Sequence, residues 1–343
     1  MAVARGGSLR DMFESVCSAI LKRIDDDESE LRKISPYSLL NLFIYCRGSY
    51  AVDSFVPIGE LRRKGAELFS KASSYIVRRV LEESEKHVGG VGGDFIEDIM
   101  SYSVFGFSPL NDSLARSGLK LIIRRYRAVQ RVIYGASSGI GKNLFGVGLE
   151  IDPLYGIPVI RGSGVKGAVR SCAEIELENY KKVYASRREV AGMKSPEELG
   201  RLISTLFGCS SEDRRRYESC RYGLKESVGA AIFLDAYPIY NANDQYIVVP
   251  EVITPHYMRE GREILDEASA KPVPIVHISI SFGTVFVFPI VIDLLRLRAA
   301  KIASEDTAER LLDRWLKCAL EEIGIGQRTS VGYGVFKMHE ERR

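Results

Sequence analysis

The chain has few of the residues on which most enzymes and metal sites depend. It contains four histidines and six cysteines in 343 residues. No two cysteines have the CxxC spacing of a zinc or redox site, and they are too scattered for the framework of a small secreted protein. The pattern therefore predicts no bound metal ion, and nothing in it calls for a cofactor. The cysteines are Cys17, Cys46, Cys172, Cys209, Cys220 and Cys318.

An excess of one charge and long apolar runs are also missing. The chain has 48 basic and 45 acidic residues, a formal net charge of +3. Because there is no long basic tail, any site for a polyanion has to be a local surface. No apolar run approaches the ~18 residues of a membrane span, and no secretory signal is recognisable. We expect a cytoplasmic protein without a membrane partner.

The chain changes character along its length. Its first third has apolar residues at helical spacing, and Gly89–Gly93 follows as a flexible connection. This predicts a helical N-terminal region over residues 1–93 and a larger domain over 94–343. Strands interleaved with helices in the larger domain predict an α+β fold. The expected strands are Leu119 to Tyr126, Ala128 to Tyr134, Gly229 to Ala236 and Val276 to Ile292, the last with a half-buried alternation. A helix is expected over Glu305 to Ile323, with Ser304 as its cap and an apolar stripe that includes Leu312 and Trp315.

Tyr155 to Arg170, YGIPVIRGSGVKGAVR, is the most informative segment. It predicts an extended segment that turns at glycines into a helix, with Ser163 as N-cap. A helix start attracts anions through unpaired N–H groups and its dipole, and Lys166 and Arg170 lie four apart on one face. The alternative is an ordinary corner that needs small residues and carries two solvated cations.

A second glycine-rich segment lies near the C-terminus, from Gly324 to Gly334. A single glycine commonly ends a helix, but four glycines in eleven positions are more than the end of a helix requires. The residues between them supply hydrogen-bond donors and one cation on a backbone that can follow an irregular polyanion. They are Gln327, Arg328, Thr329 and Ser330.

These segments, taken in order with two others, resemble the RAMP superfamily, the RNA-binding proteins of CRISPR systems. The resemblance is greatest to the family of sixth Cmr subunits of type III-B effector complexes. The other two blocks are Leu206–Gly208 with Gly229–Pro238, and Val252–Tyr257. The resemblance covers about Leu119 to Met338. It implies a ferredoxin-like core decorated by insertions and by the N-terminal helices.

The resemblance also implies a function and partners. The chain is expected to be a non-catalytic RNA-binding subunit that holds guide RNA and target RNA near the 3′ end of the guide, beside other Cmr subunits. Target cleavage would belong to those subunits. The residues expected to meet RNA are Lys142, Arg161, Gly162, Ser163, Gly164, Lys166, Arg170, Gly326, Gln327, Arg328, Thr329 and Ser330.

One alternative is a guide-processing endoribonuclease on the same fold. Some RAMP relatives use a histidine for general acid–base chemistry. His256 is the best candidate here, although a turn histidine bonded to the backbone is the more ordinary role. Asp235 ends an apolar strand, where a carboxylate commonly accepts hydrogen bonds from turn N–H groups.

A further alternative is a short-chain dehydrogenase, because Gly135 to Gly141 has the glycine spacing of a dinucleotide site. Such a site needs a helix immediately afterwards. The glycines and prolines up to Pro158 leave no room for that helix. The segment from Ala136 to Gly148 is therefore predicted to be a loop between strands, with Lys142 in reach of RNA.

Overall fold

The structure is a computed structural model, which describes residues 114, 116–137, 147–152, 157–183, 192–224, 226–243, 247–253, 258–259, 262–263 and 275–339. The predicted N-terminal helices, the predicted boundary at residue 93, Lys142 and His256 lie outside these residues. The chain divides into two compact units. One comprises residues 1–79, 133–158 and 243–281, and the other comprises residues 80–132, 159–242 and 282–343.

The described part contains both helices and antiparallel strands, which confirms the predicted α+β class. In chain order the elements are β1 (Leu119–Ala128), α1 (Gly162–Val183), α2 (Pro196–Phe207), β2 (Gly208–Cys209), α3 (Asp213–Arg216), β3 (Ser227–Val228), β4 (Ala231–Phe233), β5 (Tyr237–Asn241), β6 (Val248–Ile253), β7 (Met258–Arg259), β8 (Arg262–Glu263), β9 (Ile275–Ile280), β10 (Thr284–Asp293), α4 (Leu294–Ala300), α5 (Glu305–Lys317) and β11 (Phe336–Met338). A π-helical segment, Cys318–Ile323, continues α5, and 3₁₀ turns lie at Glu218–Arg221 and Thr329–Val331.

A five-stranded sheet forms the centre of the second unit. Its order is β11-β1-β10-β4, and β5 also pairs with β10. Every pairing is antiparallel, with Tyr126 opposite both Phe286 and Met338. Successive residues of a strand face opposite sides, so the even-numbered residues of β1 share one face. On that face Tyr126 is fully buried and meets Phe288 edge to face.

Helix α5 lies on the face that the even-numbered residues of β1 present. Arg124 on β1 makes ion pairs with Glu309 and Asp313 of the helix at 3.0 and 2.8 Å. The predicted apolar stripe of the helix, including Leu312 and Trp315, is buried. Helical structure from Glu305 to Ile323 is therefore confirmed, although its last six residues are π-helical. The Ser304 hydroxyl caps the helix by accepting from the Thr307 N–H at 3.2 Å, also as predicted.

The first unit contains the antiparallel pair β6 and β9. The sequence predicts one strand over Val276 to Ile292 with a half-buried alternation. The prediction of a single strand is wrong, because the chain turns at Phe282–Gly283 between β9 and β10. The alternation is also wrong, since His277 and Ser279 are as completely buried as Ile278.

Four described cysteines form two disulfide bonds, which the scattered positions did not indicate. Cys172 of α1 is bonded to Cys318 at the end of α5. Cys209 is bonded to Cys220 within the loop that follows α2. The first bond joins two helices across 146 residues of chain and the second spans 11.

None of the described helices has the length and apolarity needed to cross a membrane. Within the described ranges, no group of three His, Cys, Asp or Glu side chains is placed to hold a metal ion.

Candidate nucleic-acid interface

The glycine-rich loop after α5, residues 324–334, has a base that is hydrogen-bonded to the segment that follows β1. The Ile325 N–H donates to the Gly334 carbonyl at 2.9 Å, and the Gly334 N–H donates to the Arg131 carbonyl at 2.8 Å. Gly334 has φ of 71°, and a Cβ there would overlap the Ile325 carbonyl oxygen. Gly334 therefore serves the close approach of two backbone segments.

The tip of this loop is open to solvent. Gly326, Gln327, Arg328 and Ser330 are exposed. Arg328 has a left-handed backbone with φ of 61°, which is uncommon for a residue other than glycine. Its guanidinium lies 5.7 Å from the centre of the Tyr333 ring and forms no ion pair with any described residue. The tip thus presents amide donors, a hydroxyl and an available cation beside an aromatic ring.

The start of α1 is closed by a carboxylate. The Gly162 N–H donates to Asp235 Oδ1 at 2.7 Å, and Arg161 Nη1 contacts Asp235 Oδ2 at 2.9 Å. The sequence predicts turn N–H groups as the donors to Asp235, whereas in the structure its donors come from the start of α1. The prediction that Ser163 caps the helix is wrong, because the helix begins at Gly162 and Ser163 lies in its first turn. A Cβ on Gly162 would overlap the Phe233 carbonyl oxygen, so this glycine is needed for packing.

Lys166, one turn into α1, is a partly buried cation without a hydrogen bond or ion pair to any described residue. Burial lowers the pKa of its ammonium group below the ordinary value, the nearby positive charge of Arg170 lowers it further, and the carboxylate of Asp213 opposes the shift. Ser163 and Gly167 beside it are exposed. A desolvated ammonium without a direct hydrogen bond is a favourable place for an anion to bind.

Arg170 has a different environment, because its side chain is enclosed by this chain. It is 6% exposed, and its Nη2 atom lies 2.9 Å from the sulfur of Cys220. The guanidinium lies 3.7 Å from the centre of the Tyr217 ring. Its Nε atom also lies 3.8 Å from Glu174. Arg170 thus ties α1 to the disulfide-bonded loop from within the protein.

The two glycine-rich segments do not meet in one pocket. Gly162 lies against Phe233 and Leu234, at the edge of the sheet formed by β4. The loop of residues 324–334 leads into β11, which forms the other edge. Three strand spacings of about 4.8 Å separate these edges, roughly 14 Å in all. The predicted RNA-binding residues that the structure describes therefore lie in two separate segments of the same sheet unit.

The two described histidines are engaged in the structure. His277 is fully buried, with its Nδ1 atom 3.0 Å from the Ile278 carbonyl oxygen. His339 lies 2.7 Å from the Tyr240 hydroxyl through its Nε2 atom. Both rings therefore lie in structural contacts.

The two ends of the loop predicted in place of a dinucleotide site lie side by side. The strand predicted before it, Ala128 to Tyr134, is wrong, because β1 ends at Ala128. The Gly148 N–H donates to the Ala136 carbonyl at 3.0 Å, and the Glu150 N–H donates to the Tyr134 carbonyl at 2.7 Å. The chain therefore reverses direction between these residues. A segment that pairs with its own continuation in this way does not lead into the helix of a dinucleotide fold.

Comparison with known proteins points to one family. A sequence model of the RAMP superfamily matches residues 83–337. The chain is 29% identical over 208 residues to "CRISPR system CMR subunit Cmr6" of Saccharolobus solfataricus, a match that covers 61% of this chain and 54% of that protein. It is 22% identical over 245 residues to "CRISPR system Cmr subunit Cmr6" of Pyrococcus furiosus, which covers 64% and 68%. The match spans about half the length of the Saccharolobus relative.

One solved structure has a similar fold along nearly the whole chain. It is a chain of the type III-B Cmr-beta complex bound to cognate target RNA, determined by cryo-EM. The TM-score is 0.54 at 21% sequence identity, over 95% of this chain and 97% of that chain.

Proposed function

Because the chain belongs to the RAMP superfamily, we propose that it is an RNA-binding subunit of a type III-B CRISPR (Cmr) effector complex. Two relatives carry the name of the sixth Cmr subunit, which supports this assignment. The observation in the structure that carries the proposal is the loop of residues 324–334. Its base is hydrogen-bonded to the segment that follows β1, while its tip presents Arg328 without an ion pair to the described residues.

The proposed mechanism is recognition of the RNA backbone. Amide groups and the hydroxyl at the loop tip donate to phosphate or sugar oxygens, and Arg328 neutralises a phosphate. At the other edge of the sheet, Lys166 meets a second phosphate beside Ser163 and Gly164. Such contacts fix position and carry little sequence information, which suits a protein that accepts any guide.

The proposal refines the predicted residue set. Gln327, Arg328, Thr329 and Ser330 remain with Gly326 at the loop, and Ser163, Gly164 and Lys166 remain at α1. Arg161 and Gly162 act by holding the start of the helix through Asp235. Arg170 is left out, because its guanidinium is enclosed by protein groups.

We also infer that the sheet unit has a ferredoxin-like topology. The strands of its sheet and the two long helices between them follow the order β1, α1, β4, β10, α5 and β11, which is a β-α-β-β-α-β sequence. Strand β5 follows β4 and counts with it as the second strand. The third of these strands, β10, lies between the first two, and the last strand pairs with β1 on the outside. This order places α1 and α5 in the two crossover connections.

The subunit is proposed to be non-catalytic and to lie near the 3′ end of the guide with its paired target, in contact with other Cmr subunits. The engagement of His277, His339 and Asp235 in structural contacts supports a binding role. Cleavage of target RNA is then a property of other subunits.

Replacing Lys166 and Arg328 together with alanine tests this function. The double variant should have a lower affinity for RNA, and the loss should be about the same for unrelated sequences. The slope of log affinity against log salt should fall by about 0.7 for each phosphate that the protein no longer neutralises. Because the two residues lie at opposite edges of the sheet, the effects of the single variants should add up to that of the double variant. Fluorescence anisotropy with labelled single-stranded RNA of several sequences measures both quantities.

The matched control is the Lys182→Ala and Lys301→Ala double variant, which removes two exposed cations from helix ends. Its affinity and salt slope should equal those of the wild type. A K166A/R328A variant that behaves like this control would exclude both residues from the site. Cleavage of CRISPR repeat RNA by the wild-type chain would contradict the non-catalytic role.

A further inference from the structure

We propose that Arg127 and Lys337 form an additional phosphate-binding position for RNA, next to the glycine-rich loop. The inference deepens the proposed RNA-binding function and rests on it. The two residues are register partners on β1 and β11. Since these strands form one edge of the sheet, the pair lies at the sheet border that leads to the loop.

The backbone pairing fixes how the two side chains point. The His339 N–H donates to the Arg125 carbonyl at 2.9 Å, and the Val129 N–H donates to the Val335 carbonyl at 3.0 Å. Hydrogen-bonded pairs alternate along an antiparallel ladder, so Arg127 and Lys337 form the hydrogen-bonded pair between those two. Their Cα atoms are then about 5.5 Å apart and their side chains stand on the same face.

Two like charges thus face each other without a counter-ion. Both side chains are exposed, and neither forms a hydrogen bond or ion pair with a residue in the described part of the chain. Like charges directly opposite on neighbouring strands destabilise a sheet. A phosphate placed between them would offset that repulsion, with the planar guanidinium donating two hydrogen bonds and the ammonium acting as a point charge.

The acidic residues of α5 lie on the other side of these strands. Glu309 and Asp313 bind Arg124, which has the opposite parity to Arg127 on β1 and faces the helix. Arg125 has the same parity as Arg127 and places a third basic residue on the shared face. The carboxylates of α5 therefore neutralise Arg124 on one face of the strand pair. They do not neutralise Arg127 and Lys337, which lie on the other face.

The pair is continuous with the loop along the backbone. Arg127 precedes by four residues the Arg131 carbonyl that accepts from the Gly334 N–H at the loop base. β1 ends at Ala128, and four residues of chain span at most about 14 Å. One RNA strand that contacts Arg328 can therefore continue onto Arg127 and Lys337.

The test is the double variant R127Q/K337Q in the full chain, titrated with labelled single-stranded RNA of mixed sequence over roughly 0.05–0.2 M salt. Removal of the two cations should lower the salt slope by about 1.4, and near 0.1 M salt should weaken binding by about 25-fold. The matched control is K182Q/K301Q, which removes the same charge from exposed helix ends. The control should stay within about 2-fold of the wild type, because a general change of net charge is a small effect.

Thermal unfolding separates a binding role from a structural one. R127Q/K337Q should unfold at the same temperature as the wild type or higher, because a repulsion is removed. K337E should raise the unfolding temperature through a cross-strand pair with Arg127, and should weaken RNA binding at least as much as the double variant. This inference would be overturned if R127Q/K337Q and its control had the same affinity for RNA and the same salt slope, whether or not both differed from the wild type. A wild-type chain that binds no RNA would instead overturn the proposed function itself.

Discussion

At the scale of single residues, glycines in one helix have different tasks. Gly162 lies where a side chain would overlap the Phe233 carbonyl oxygen. Gly167, five positions later, has no atom within 4 Å of the place where its Cβ would be, apart from its chain neighbours and the backbone of its own helix. The same residue type therefore marks a packing constraint at the first position and an exposed helical site at the second.

This difference predicts opposite outcomes for two alanine variants. Gly167→Ala should raise the free energy of unfolding by roughly 0.5–1 kcal/mol, because alanine is favoured over glycine within a helix. Gly162→Ala should lower it by roughly 1–3 kcal/mol, since backbone at the β4 edge has to move. Urea unfolding followed by circular dichroism measures both. Equal effects of the two substitutions would contradict the packing role of Gly162.

Asp235 is the residue that most determines the position of the α1 start. Its carboxylate accepts from the Gly162 N–H and pairs with Arg161. Asp235→Ala should therefore lower the free energy of unfolding by about 1–2 kcal/mol, the usual cost of losing a helix cap. Asp235→Asn keeps an acceptor oxygen and should cost less. A smaller loss for alanine than for asparagine in urea unfolding would argue against capping.

At the scale of elements, a disulfide bond and ion pairs hold the helices to their neighbours. The Cys172–Cys318 bond joins α1 to the segment after α5 and closes a long stretch of chain. Such a bond stabilises mainly by restricting the unfolded chain. The C172S/C318S variant should therefore lose about 2–5 kcal/mol of unfolding free energy.

The same comparison under reducing conditions is the control for this bond. The wild type should lose stability when reductant is added, and C172S/C318S should lose less because one of its two described bonds is already absent. Thiol alkylation followed by mass spectrometry should label Cys172 and Cys318 only after reduction. Labelling of both in the untreated native protein would contradict the pairing.

The attachment of α5 to β1 predicts a pH dependence. A hydrogen bond from Lys120 lowers the pKa of Glu309 below its ordinary value of 4.5, and Arg124 lowers it further. A carboxyl group whose folded-state pKa is lowered stabilises the fold above its unfolded pKa, and that contribution is lost as the pH falls through the folded pKa. The stabilisation from Glu309 should therefore disappear below about pH 4.5.

Glu309→Gln checks this directly. At neutral pH the variant should be less stable than the wild type by about 1 kcal/mol or less, because the ion pairs are partly exposed. The difference should shrink towards zero between about pH 5 and pH 3, where the wild-type carboxyl becomes protonated. A difference that stays constant over this range in thermal unfolding would exclude the charge of Glu309 as its cause.

At the scale of the whole molecule, the sequence predicts elements better than the contacts between them. The α5 stripe and its Ser304 cap follow from local periodicity and capping chemistry, and the structure contains both. The break between β9 and β10 does not follow from the alternation of polar and apolar residues. Polar residues such as Ser279 are buried, so the alternation does not show which residues face the core. The disulfide between Cys172 and Cys318 depends on the tertiary fold, which spacing alone does not encode.

The candidate site shows the same limit. Sequence order identifies both glycine-rich segments, and the exposed Arg328 lies in one of them. It does not reveal that Arg170 turns inward to Tyr217, because an exposed and a buried position can have the same helical spacing. Lys337 is not recognisable as a candidate from the sequence, since its role depends on lying opposite Arg127 across two strands 210 positions apart in the chain.

The measurement that tests the central claim most directly is sequencing of the RNA that co-purifies with the tagged protein from its native cells. An RNA-binding subunit of a Cmr complex should recover guide RNAs with mixed spacer sequences and one shared repeat-derived end. Recovery of unprocessed repeat arrays would point to a guide-processing ribonuclease and contradict the non-catalytic role. Absence of any enriched RNA would contradict RNA binding altogether.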